Sequence, residues 1–139
     1  MKRTGRLLIW NRNNGQFLRQ SKKFDLGFNV MEFSESSKLV YASGPTEPLT
    51  TFRIPSLEVG QKYAFLTELR SINRLSSNSF VYTTYSTLTP HHLIDTKQMR
   101  IMKLPGVNSG TLEDVSLNRQ KNVMIGGTDT GEIFLWHKN

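Results

Sequence analysis

Short apolar runs bounded by polar turns recur along this chain, and no long segment of helical period competes with them. Four strand ends stand at near-constant spacing: Leu7-Leu8-Ile9-Trp10, Thr51-Phe52-Arg53-Ile54, a weaker His92-Leu93-Ile94, and Ile133-Phe134-Leu135-Trp136. Trp10 to Ile54 is 44 residues, Ile54 to Ile94 is 40, and Ile94 to Trp136 is 42. The last copy reads as strand Asp114 to Leu117, a polar turn Asn118 to Lys121, strand Asn122 to Ile125, a turn from Gly126 to Gly131, and strand Glu132 to Trp136. An earlier copy runs in parallel: strand Val30 to Phe33, turn Ser34 to Ser37, strand Lys38 to Ala42, turn Ser43 to Pro48, strand Leu49 to Ile54. The third is weaker, with strands Ser71 to Leu75, Ser79 to Tyr85, and His91 to Ile94. Outer strands are expected at Gln16 to Lys22, Lys62 to Leu66, and Met99 to Leu104. Asn14-Gly15 is the strongest hairpin signal, since both residues tolerate positive φ.

A repeat of about 40–45 residues ending in an apolar strand with Trp is the mark of a four-stranded propeller blade. The expected fold is therefore all-β: a partial β-propeller of about three four-stranded antiparallel blades. Three blades are too few to close a ring, which typically takes about 4–8. The chain divides into residues 1–24, the third and outer strands of an incomplete blade; 25–66, a blade; 67–104, a blade; and 105–139, a last blade lacking its outer strand.

These residues resemble the WD-repeat family over nearly the whole chain. Gly126-Gly127-Thr128-Asp129-Thr130-Gly131-Glu132-Ile133-Phe134-Leu135-Trp136 is similar to that family's third-strand signature, as is Gly5-Arg6-Leu7-Leu8-Ile9-Trp10. The segment Phe33 to Gly44 is similar to its first hairpin. There are departures. No Gly-His dipeptide opens a repeat, and Asn11, Pro55, Asp95 and His137 stand where an Asp would follow Trp. The family's His, Ser/Thr, Asp, Trp hydrogen-bond tetrad is complete nowhere, with Gly126 and Thr130 at the Ser and Asp places of the last blade. The strand order resembles the C-terminal half of a propeller. Its other half is then a separate chain, a missing region, or a second copy.

With 139 residues and 37% hydrophobic content, the chain reads as one globular unit. Zero Cys removes disulfides and Cys-based zinc sites and fits a cytoplasmic or nuclear address. No apolar stretch approaches the roughly 20 residues that span a bilayer, so no membrane partner is expected. Charge is concentrated at one end. Lys2, Arg3, Arg6, Arg12, Arg19, Lys22 and Lys23 precede any acid, while the rest of the chain balances, so the net +7 lies in this N-terminal strand pair. Such a segment suits an acidic partner, whether phosphate backbone or acidic protein. It equally suits an edge strand protected by Lys and Arg against promiscuous pairing. Base-stacking aromatics there are limited to Trp10 and Phe17, which favours edge protection.

Catalytic chemistry is thin. His91, His92 and Asp95 do not make a metal site, because adjacent strand residues face opposite ways. The Gly126 to Gly131 run leads into a strand rather than the helix that a phosphate loop needs. Trp10 and Trp136 are expected to be structural, packing within their blades. With three His and no recognisable triad, an enzyme is not expected, and neither is a cofactor.

The resemblance implies a non-enzymatic scaffold or adaptor that joins protein subunits in a complex, as in ubiquitin ligase or chromatin assemblies. The alternative is a nucleic-acid-associated subunit that grips phosphates through residues 2–23. Specificity would reside in the loops joining second to third strands, Ser43 to Pro48, Ser86 to His92 and Thr128 to Gly131, and there in Glu47, His91, His92 and Asp129.

Overall fold

The computed structural model describes residues 4–25, 27–66, 68–85, 91–107, 110–120 and 122–137, with the His91 side chain also left aside. All elements are strands, and no helix among the described residues is long and apolar enough to cross a membrane. Two compact units are present, Met1–Leu69 and Arg70–Asn139.

In the first unit, β5 (Val30–Phe33), β6 (Leu39–Ser43), β7 (Leu49–Arg53) and β8 (Val59–Tyr63) pair in chain order as a four-stranded antiparallel sheet. Its middle strands are buried on both faces and its outer strand is almost wholly exposed. The aromatic and β-branched residues of β6 and β7 suit that double burial. Before this sheet, β2 (Leu8–Trp10) and β3 (Phe17–Gln20) form a two-stranded sheet, and β1 (Thr4–Gly5) pairs with β4 (Phe24–Asp25). Leu7, Phe24, Val40, Ala42, Phe52 and Leu57 bind the two parts into one core. There the Phe24, Phe28 and Phe52 rings meet edge to face at 4.8, 5.6 and 5.5 Å. Each such buried side chain contributes about 1.5–3 kcal/mol.

In the second unit, β9 (Leu69–Arg74), β10 (Ser79–Thr84), β11 (His91–Asp95) and β12 (Arg100–Lys103) form a second four-stranded antiparallel sheet. A three-stranded antiparallel sheet follows, of β13 (Leu112–Asn118), β14 (Val123–Thr128) and β15 (Ile133–His137). Val81, Leu104, Val107, Leu112, Val115 and Met124 form the core joining them, with Phe134 and Trp136 packed against it. Trp136 lies over Gly126, where an added Cβ would come within 2.9 Å of Leu112 Cδ1 and 3.1 Å of the indole. Glycine there is thus a packing requirement. Among the described residues, no strand pairs with the outer edge of β15.

This is the all-β, partial-propeller fold that the repeat predicts, with fewer strands than ring closure takes. Three expectations need correction. The outer strand placed at Lys62 to Leu66 is β8, Val59–Tyr63: Leu57, at φ 59°, ends a tight turn that starts the strand earlier. Leu66 lies past the strand, donating its N–H to Tyr63 O and accepting from Leu49. The turn assigned to Gly126 to Gly131 begins only at Asp129, because Gly126 to Thr128 continue β14 beneath Trp136. At Asn14-Gly15 only Gly15 takes positive φ, at 68°. Asn11 N–H bonds Gln16 O and Gly15 N–H bonds Asn11 O, so the hairpin loop is longer than a two-residue turn.

Candidate interaction surfaces

Of the seven N-terminal cations, Lys2 and Arg3 lie outside the described residues. Arg6, Arg12, Arg19, Lys22 and Lys23 are all exposed, and among the described residues none forms an ion pair. They do not share one face. Pairing sets Leu8 opposite Gln20 and Ile9 opposite Arg19, so Arg6 and Arg19 project to opposite sides of the strand pair. Arg6 donates to Gln20 Oε1 at 2.7 Å. Arg19 instead reaches the Ser56 carbonyl at 3.4 Å, beside the four-stranded sheet. Lys22 sits 5.6 Å from the centre of the Phe24 ring. Trp10 is 51% exposed and meets Phe17 edge-on at 6.0 Å, so both rings remain accessible.

The rim residues are anchored more firmly than a free loop would be. Glu47 is half-buried, its carboxylate 4.0 Å from Lys62 Nζ, while its carbonyl accepts from Ser43 Oγ and Gly44 N–H. Asp129 Oδ1 accepts the Thr111 N–H at 2.7 Å, and Asp129 N–H bonds back to Thr111 O at 3.1 Å. That reciprocal clamp ties the β14–β15 turn to the segment entering β13. The aspartate that holds this turn is Asp129, one position before Thr130. His92 is fully buried, with Nδ1 3.1 Å from Tyr82 O, which makes it a core histidine. Residues 86–90 and the His91 side chain lie outside the described residues. Among those residues no three His, Cys, Asp or Glu side chains cluster.

Trp136 is partly buried, stacks on Phe134 at 5.6 Å and 23°, and donates its indole N–H to Pro105 O at 2.6 Å. Its strand reveals a surface that the repeat pattern alone did not single out. Phe134 and Trp136 face the core, whereas Ile133 and Leu135 face away and are 76% and 60% exposed. Ile125, paired with Leu135, adds a third apolar side chain at 46% exposure. The signal was present in the unbroken run Ile133-Phe134-Leu135-Trp136, the composition of a strand covered on both faces.

No family model matches the sequence, and comparison with curated proteins found no match. Solved structures match well. The chain is similar to the WD40 repeats of RRP9, with TM-score 0.70 and 15% identity over 95% of this chain and 39% of that one. It is similar to the C-terminal WD40 domain of Sif2, with TM-score 0.67 and 14% identity over 96% of this chain and 37% of that one. It is also similar to the computationally designed Ika4 protein, with TM-score 0.65 and 14% identity over 97% of this chain and 81% of that one. The chain thus has the fold of part of a WD40 β-propeller. It spans under two-fifths of the two natural WD40 structures.

Proposed function

We propose that this chain is a non-enzymatic interaction module, whose sheets act as propeller blades and organise protein subunits in a cytoplasmic or nuclear complex. The observation that carries this reading is β15: an edge with no pairing strand among the described residues, bearing Ile133 and Leu135 on a face that nothing described in the last sheet covers. Exposed contiguous apolar side chains beside an unpaired edge mark a surface made for contact. What covers it is further propeller blade, whether supplied by another chain, by more of a longer polypeptide, or by a second copy.

Size exclusion with light scattering on this 139-residue chain tests the proposal. Association is expected, and Ile133→Lys together with Leu135→Lys should shift it toward monomer while far-UV circular dichroism stays β-rich. A sharp 15.9 kDa monomer that unfolds cooperatively would refute it.

A second reading is favoured by one observation, the accessible Trp10 and Phe17 rings on a strand pair whose cations have no carboxylate partner among the described residues. Aromatic stacking platforms near Lys and Arg side chains are how proteins hold single-stranded nucleic acid, and here the cations flank the two rings on both sides of the strand pair. Edge protection accounts for the cations alone but not for the two exposed rings.

A further inference from the structure

A cleft of about 500 Å³ opens in the second unit, between the β9–β12 sheet and the last sheet. Its floor is apolar, made by Leu93, Leu117, Met124 and Trp136, and its walls carry Arg74 and Arg119. No Asp or Glu is among the described residues that line it. The Arg74 guanidinium lines the cleft without a carboxylate partner among the described residues, and one of its terminal nitrogens is turned away from solvent with no hydrogen-bond partner among them. The planar guanidinium fork that lines the cleft matches a carboxylate in bidentate fashion. An apolar floor of this volume with one convergent charge has the make-up of a ligand site.

We infer that the cleft binds an extended peptide segment in which Asp or Glu adjoins a large aliphatic residue: the aliphatic side chain fills the floor and the carboxylate meets Arg74. Single-stranded RNA fits less well. Of the two aromatic rings among the described lining residues, Trp136 and His137, the larger has one face taken by Phe134 and its N–H committed to Pro105. The inference adds a second contact site to the interaction reading, on the opposite face of the last sheet from Ile125, Ile133 and Leu135. Its test therefore does not depend on association through those residues.

Trp136 is a built-in reporter, because Trp10→Phe leaves it as the single Trp of the two in the chain. The probe is acetyl-Ser-Glu-Leu-Glu-Ser-amide, titrated into the full chain while Trp136 emission is recorded. A saturable blue shift is expected, weakened at least tenfold when Gln replaces both Glu residues of the probe. Arg74→Met should weaken it by a similar factor and Arg74→Lys by less. If circular dichroism shows that Arg74→Met unfolds, Ser79→Glu, which puts a carboxylate on the cleft wall, should abolish the shift instead. The inference is overturned by no saturable change, by equal binding of the Glu and Gln probes, by unaltered binding to whichever of these two variants is folded, or by tighter binding of oligouridylate than of the peptide.

Discussion

Truncating Trp136 to Ala should destabilise the protein far more than truncating Trp10, although both close a strand of the same repeat. A Trp side chain offers roughly 150–250 Å² for burial, at about 25 cal/mol per Å². Trp136 buries most of that against the core, Phe134 and the open floor at Gly126, so its apolar loss is about 3–4 kcal/mol. The indole bond to Pro105 O adds about 1 kcal/mol. Trp10 is half exposed and touches mainly Phe17 across its own hairpin, a local contact that a denatured chain partly keeps, so about 1–2 kcal/mol is expected there. Trp136→Phe separates the two terms, keeping the ring stack and losing about 1 kcal/mol with the hydrogen bond. Urea unfolding followed by circular dichroism, at one fixed protein concentration because association shifts apparent stability, reads all three. Equal and small losses at Trp10 and Trp136 would show that the last sheet does not pack as described.

Burial pushes the Tyr82 hydroxyl up from 10.0 to about 12. A raised pKa contributes stability that is complete below about pH 10 and is lost as pH climbs toward 12, so the urea midpoint should drop between pH 10 and 12, and drop less in Tyr82→Phe. An identical drop in both proteins would assign the loss to other groups. For the basic strand pair, replacing Arg12, Arg19, Lys22 and Lys23 by Gln should weaken binding to oligouridylate and flatten its dependence on salt. Unchanged binding at every salt concentration would leave edge protection as the role of these cations.

Much of the fold was legible because blade strands are short, apolar and regularly spaced: β5 matches its expected span, Val30–Phe33, to the residue. Outer strands were harder. β8 reads Val-Gly-Gln-Lys-Tyr and lies in solvent, so its pattern carries little hydrophobic signal, and the apolar Phe65 and Leu66 drew the expected strand downstream. The two-residue strands β1 and β4 are too short to have a period. Just past β4, Gly27 approaches Gly5 of β1 so closely that a Cβ on Gly5 would collide with it, a constraint visible only in three dimensions. The surface residues were legible in kind but not in place. Charge counting grouped Arg6 with Arg19, and strand alternation separates them. Asp129 looked like a loop residue open to a partner, yet its carboxylate is engaged by the Thr111 amide. The Arg74 cleft gave no sequence signal, since its walls come from strands more than 40 residues apart.

Every sheet here is built from strands that follow one another along the chain; only the small β1–β4 pair bridges an intervening hairpin. Biosynthesis therefore meets little topological delay. Each sheet can zip from its own hairpins as it leaves the ribosome, with loop closures that are short and contacts that are local. β15 is the last of these strands to be made, and until it docks, β14 presents an edge containing Gly126 and Gly127, with little side chain to hold a wrong partner. The strand with the most exposed apolar side chains, Ile133 and Leu135, thus appears only after the sheets before it have had time to form.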